Sequence, residues 1–236
     1  TITGNTATKG NGGGIYIHFN AGRVSISNAT ITGNKASATG NTSYGHGGGI
    51  YSERGVTVEN VTITGNNSTY EGGGIYGKGA IALTEATVAD NSGYDVYYGG
   101  QESTTPKLIV SGSVKAGYYA NEAWKLPILV SGALREDSVI RVGVREGIKP
   151  GYGESLAIAK PASGVTLRAE NFKADAADSV TSLGDDGKVY LSLCDHVMDE
   201  TGYTCKKCHT QFDARIGESA YYQTLAEAFQ NAWDGS

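Results

Sequence analysis

The sequence is poor in the residues that punctuate or staple many folds: 4 Pro, 3 Cys and 1 Met in 236 residues. Charge is also scarce, at 18% against an ordinary ~25%. Apolar runs stay short. Leu108–Val110 and Ile128–Val130 are examples, far below the ~20 residues that cross a bilayer as a helix, so no membrane insertion is expected. Basic residues are outnumbered, 19 Lys and Arg against 24 Asp and Glu, and the net charge of −5 argues against a nucleic-acid or anionic-membrane surface. No Gly-X-Y period runs through the chain, which excludes collagen, and apolar and β-branched residues are too frequent for disorder. What is abundant is glycine, 35 residues, roughly twice ordinary usage. No signal peptide, anchor or spanning segment is visible, and Thr1 opens inside a repeat, as expected of a piece of something longer.

The repeat is the strongest signal. Thr1-Ile-Thr-Gly-Asn5 recurs at Thr30–Asn34 and Thr62–Asn66 and decays to Thr87-Val-Ala-Asp-Asn91. Gly-Gly-Gly-Ile-Tyr occurs at Gly12–Tyr16, Gly47–Tyr51 and Gly72–Tyr76, and an alternating motif at Val24–Ile26, Val56–Val58 and Ile81–Leu83. The order never changes. Each motif is short, β-branched and alternating, which suits a strand. Three strands per coil, with coils stacked on one another, make a continuous core that no single coil could bury. The expected fold is therefore all-β, a right-handed parallel β-helix of three-strand coils. Ile2, Ile31, Ile63 and Val88 predict one inward aliphatic ladder; Ile15, Ile50 and Ile75 a second; Ile26, Val58 and Leu83 a third. Asn5, Asn34, Asn66 and Asn91 predict a stack of turn amides. The glycine triplets predict sharp bends and close approach of coils. Residues 35–46 are expected to loop out at one corner.

Ile-Thr-Gly-Asn and Gly-Gly-Gly-Ile resemble the F/I-x-x-N and GGA-I/L/V elements of polymorphic outer-membrane-protein-like β-helix repeats, over roughly residues 1–100. Such repeats also recur in large surface adhesins of gut-type Gram-positive bacteria. The resemblance implies surface display and adhesion. Gly stands where those repeats have Ala.

After residue 100 the motifs fade but β character persists. Strands are expected at 107–112, 127–132, 138–144, 164–168 and 188–192, continuing the solenoid through 1–193 as irregular coils over 101–193. Gly184-Asp-Asp-Gly187 predicts a hairpin from 180–183 to 188–192 that caps the open end.

All three cysteines fall in one stretch, Cys194-Asp-His196 and Cys205-Lys-Lys-Cys208-His209. Cys-x-x-Cys offers two thiolates to one tetrahedral ion, and Cys194 with His196 completes a Cys₃His set for a structural Zn²⁺; His209 is the more awkward fourth ligand, and a disulfide is the competing use of the thiols. A zinc-ribbon-like knuckle is thus expected over 194–212. Residues 213–236 read as the truncated start of a next module: short strands at 214–216 and 220–222, then an amphipathic helix through Leu225, Ala228, Phe229, Ala232 and Trp233.

Aligning the coils on Ile15, Ile50 and Ile75 places Tyr16, Tyr51 and Tyr76 in the next outward column, and His18, Glu53 and Lys78 two residues further. The tyrosines form either a platform for sugar faces or a plain stacked ladder; the second column is either acid–base machinery or an exposed charge ladder, and the plainer use is favoured for both. The expected function is a non-enzymatic stalk or ligand-binding fragment of a secreted or wall-attached bacterial surface protein. Its partners would be a host or cell-surface glycan or protein and the neighbouring modules of its parent. The alternative is a carbohydrate-active β-helix, a glycoside hydrolase or polysaccharide lyase, or the accessory carbohydrate-binding part of a large glycosidase.

Overall fold

The computed structural model describes residues 1–38, 45–101, 106–194 and 204–205, and the backbone of Ala214–Ile216 and Ala220–Tyr222. The repeats pair as their alignment predicts. Val24–Thr32, Val56–Thr64 and Ile81–Ala89 lie side by side and parallel, with Val24 opposite Val56 and Val56 opposite Ile81. Ile15–Ile17, Ile50–Ser52 and Ile75–Gly77 form a second parallel wall, Ile15 opposite Ile50 and Ile50 opposite Ile75. A third, narrow wall joins Thr6–Ala7, Lys35–Ala36 and Asn67–Ser68. The first three coils of the repeat thus contribute to three walls of an all-β, curled parallel arrangement, and the fourth to two, through Ile81–Ala89 and Val96–Tyr98. Ile31, Ile50, Ile63, Ile75, Val58 and Val88 are wholly buried between the walls. Each such aliphatic side chain contributes ~1.5–3 kcal/mol of burial.

The corner between two predicted strands is smaller than the sequence implied. Val24–Ile26 and Thr30–Thr32 belong to one bent strand, and the bend is a single left-handed residue: Asn28, Asn60 and Glu85 have φ of 53°, 52° and 48°. One residue at positive φ turns the chain while the ladder resumes at Ala29 opposite Val61. Asn accepts that conformation readily and Glu does not. In the next coil Gly112 takes the corner at φ 71°.

The glycine triplets serve two purposes. Gly47 turns at φ 66°, and a Cβ on Gly48 would sit 2.5 Å from the Gly73 carbonyl oxygen of the next coil. Only glycine lets the coils touch backbone to backbone there.

Beyond residue 100 the long strand Leu108–Ala120 pairs in parallel with Ile81–Ala89 and then, on its other edge, with Ile128–Leu134 and Val139–Val144. Two strands were not anticipated, Leu156–Pro161 and Phe172–Ala174, each parallel to a strand of the coil before. The expected strand at 164–168 does not form; a 3-10 turn, Ala169–Asn171, follows it, and the buried Asn171 amide donates to the carbonyls of Arg135 and Ser138 at 2.9 and 3.1 Å. The expected hairpin is present as Ser179–Leu183 and Val189–Leu193. Val189–Leu193 also runs antiparallel to Leu156–Pro161, so the parallel pairing ends on an antiparallel closure. Ala214–Ile216 and Ala220–Tyr222 pair as expected, while His196, Cys208, His209 and the helix expected near Leu225–Trp233 lie outside the described residues.

Candidate functional site: an aromatic row and a groove beside it

The parallel register places one tyrosine of each coil directly over the next. Ring centroids lie 5.2 Å apart from Tyr16 to Tyr51 and 5.2 Å from Tyr51 to Tyr76. The row continues through residues the repeat motif did not reveal, to Tyr97 at 5.6 Å and on to Tyr119 at 6.4 Å, with Tyr94 stacked 3.9 Å from Tyr119. These rings point away from the aliphatic core, but the expectation of an exposed column is corrected. Tyr16 is 47% exposed, whereas Tyr51 and Tyr76 are 3% and 8% exposed. Stacking covers their faces. His46, just before the second glycine triplet, lies 4.5 Å from the Tyr76 ring and pairs with Glu71 through Nδ1 and Oε2 at 3.0 Å. That hydrogen bond holds the Glu71 carboxyl below its ordinary value. Burial pushes Tyr97 and Tyr94 up to about 12, and Tyr76 higher still. At the far end the Lys125 ammonium donates to the Tyr98 carbonyl at 2.6 Å and sits 5.0 Å from the centre of the Tyr97 ring; burial lowers its pKa. Tyr51, Tyr76 and Tyr97 are buried and act as a packing device, while Tyr16 at one end of the row is exposed and Tyr94 and Tyr119 at the other are partly buried.

The column of His18, Glu53 and Lys78 does not assemble as a joint acid–base unit. Glu53 accepts the Phe19 N–H at 2.9 Å, His18 Nδ1 accepts the Asn20 N–H at 3.3 Å, and Lys78 lies 5.8 Å from the centre of the Tyr51 ring. What the structure makes there instead is a groove of about 640 Å³ running along the outside of the coils. Glu53 and Lys78 line it, joined by Arg23 and Arg54. Arg54 Nε donates to the Phe19 carbonyl at 2.7 Å, which fixes the exposed Phe19 beside the groove. The outward positions Arg23, Phe19 and Arg54 belong to no repeated motif, so the repeats gave no signal for them.

The predicted asparagine stack is complete. Asn5, Asn34 and Asn66 each donate from Nδ2 to the Oδ1 of the next amide at 2.9, 3.0 and 2.9 Å. Asn91 donates onward to Asp95 Oδ1 at 3.0 Å. Asp95, absent from the sequence alignment of coils, ends the chain of donors with an acceptor-only carboxylate, whose other oxygen accepts from Arg141 at 3.3 Å.

Of the four proposed metal ligands, Cys194 and Cys205 are described. Both are buried, and their sulfurs lie 3.3 Å apart. Among the described residues no group of three or more His, Cys, Asp or Glu side chains assembles as a metal site.

A family model for the Chlamydia polymorphic membrane protein repeat matches residues 60–78. That span runs from the left-handed corner at Asn60, through ladder residue Asn66 and the glycine triplet, to the stacked Tyr76 and the groove lysine Lys78. No curated protein and no solved structure matches the chain.

Proposed function

We propose that the chain is a non-enzymatic, ligand-binding or stalk module of a secreted or cell-surface bacterial protein of the adhesin type. The observation that carries this is the position of the polymorphic-membrane-protein repeat match, which covers most of one coil and includes its ladder amide Asn66, its glycine triplet and its stacked Tyr76. The match supports a bacterial repeat protein of the cell surface; the adhesin role is our reading. The coils would wind as a right-handed β-helix, the hand that parallel crossover connections take in ~98% of cases. A stack whose ladders run from coil to coil is suited to length and stiffness. The separate engagements of His18, Glu53 and Lys78 favour this reading over the glycosidase or lyase alternative. A host-glycan and cell-surface ligand panel, run beside polysaccharide digestions, tests it. Retention without new reducing ends or unsaturated products is expected; cleavage by the purified chain overturns the reading.

A structural Zn²⁺ held by Cys194, Cys205, Cys208 and His196 is our second proposal. Its support is the pair of buried sulfurs 3.3 Å apart, well beyond the ~2.05 Å of a disulfide and near the ~3.7 Å expected of two thiolates on one tetrahedral ion. Four protein ligands would leave no place for a catalytic water, so the ion would act as a staple. Elemental analysis of protein purified without added metal should find one zinc per chain. A metal-free protein with a cysteine disulfide sinks the proposal.

A further inference from the structure

The groove outside the coils is electropositive on a protein of net charge −5. Arg23, Arg54 and Lys78 stand on three successive coils, one cation per coil, and all three line it. Among the described residues none of them forms an ion pair with a carboxylate. The single lining carboxylate, Glu53, is turned to the Phe19 N–H. The floor is smooth, because the outward column opposite Thr57 is Ala82 and then Ile109. At the rim, Phe19 is 55% exposed and is held in place by Arg54 and Glu53.

We propose that this groove binds a linear acidic polysaccharide, lying along the stack with its carboxylate or sulfate groups against Arg23, Arg54 and Lys78 and a sugar face against Phe19. The proposal rests on the reading of the chain as a ligand-binding surface module and names the ligand class. Coils repeat every ~4.8 Å, so cations on successive coils meet anionic groups carried along a chain better than they meet one compact anion. Guanidinium groups bind carboxylate and sulfate in forked pairs. A flat ring beside them suits the apolar face of a sugar. An acidic peptide fits less well: the floor is a sheet face whose backbone groups are used in the coil ladders, and it offers no free edge for strand addition.

The test uses the whole chain with heparin oligosaccharides, polygalacturonate oligosaccharides, neutral dextran and polyglutamate, followed by calorimetry. Binding to one or both acidic glycans is expected, weakening with salt, with none to dextran or polyglutamate; the two acidic glycans separate sulfate from carboxylate recognition. Replacing Arg23, Arg54 and Lys78 together by Gln should weaken binding at least about tenfold. Removing Lys115, Lys160 and Lys173, which do not line the groove, should not. Ala82→Trp should block the floor with the cations intact, and Thr57→Trp gives a second block should Ala82→Trp fold poorly. The proposal is overturned if neither acidic glycan binds, if polyglutamate binds as well, if the distant lysines matter equally, or if both floor variants bind like the unmodified chain. Binding to other panel ligands, unaffected by the groove variants, would remove this inference and leave the surface-module reading standing; cleavage of the glycan would remove that reading.

Discussion

At the residue scale, the amide of Asn66 is among the most heavily committed polar groups in the repeat, with Asn34 and Asn91 bonded in the same way. Its nitrogen donates to Asn91 Oδ1 and faces the carbonyls of Ile31 and Thr64, while its oxygen accepts the backbone and side-chain N–H groups of Asn34. Asn66→Ala would leave several buried groups unpaired and should cost more than about 2 kcal/mol in urea unfolding, since each lost partner costs ~1–3 kcal/mol. Tyr51 is the contrasting case. Its motif position said only that it faces away from the aliphatic core, which would make Tyr51→Ser harmless. With rings 5.2 Å away on both sides and little exposure, the substitution should instead cost about 3 kcal/mol, measured the same way. Ile50→Asp should be worse than either, because a buried carboxylate at that position has only Ile15 and Ile75 as ladder neighbours. The row also sets an alkaline limit. Tyr94 and Tyr97 hold their protons to about pH 12 against an ordinary 10, so the folded form binds these protons more tightly than the unfolded chain. Their contribution is whole below pH 10 and lost as pH climbs toward about 12. Phenolate absorbance should rise together with unfolding; titration of these two at pH 10 in a folded chain would contradict the packing.

At the scale of elements, the strands of the repeat were legible because three motifs recur in fixed order, and only a stack of coils keeps that order in register. The corners were less legible. Asn28 and Asn60 look like ordinary polar residues between two strands, and nothing in Glu85 announces positive φ. Leu156–Pro161 was missed because its alternation is carried by alanines and ends in proline, a weak strand signal in the absence of its neighbours. The groove escaped notice for a different reason: it is built by Arg23, Arg54 and small residues outside the motifs, and repeat alignment reports what recurs. Residues 35–46 were expected to loop out together, but Lys35–Ala36 instead form a strand of the third wall, in register between Thr6–Ala7 and Asn67–Ser68, and residues 39–44 lie outside the described residues. His46 forms a clasp with Glu71 and Tyr76. This clasp should respond to acid. The folded Glu71 carboxyl titrates below its ordinary 4.5, so its stabilisation is present above pH 4.5 and lost as pH falls through the lowered folded value. Glu71→Gln should flatten that part of the acid-unfolding profile; an unchanged profile would show that the clasp contributes nothing.

At the scale of the molecule, the parallel stack and the cysteine segment are expected to be independent. Each coil contacts chiefly its neighbours, so stability is close to a sum over adjacent pairs. Chelation should therefore loosen residues 194–212 to limited proteolysis while the coils keep their circular dichroism and melting transition. A joint collapse would show that the metal supports the coils as well. The groove, the tyrosine row and the asparagine ladder all depend on one premise, that consecutive repeats lie in register and parallel. Nuclear Overhauser contacts between isoleucine methyl groups measure this directly. Ile50 should show strong contacts to both Ile15 and Ile75, with little direct transfer from Ile15 to Ile75 across the intervening coil. Absence of either Ile50 contact, in a folded chain, would contradict the stack and everything built on its flank.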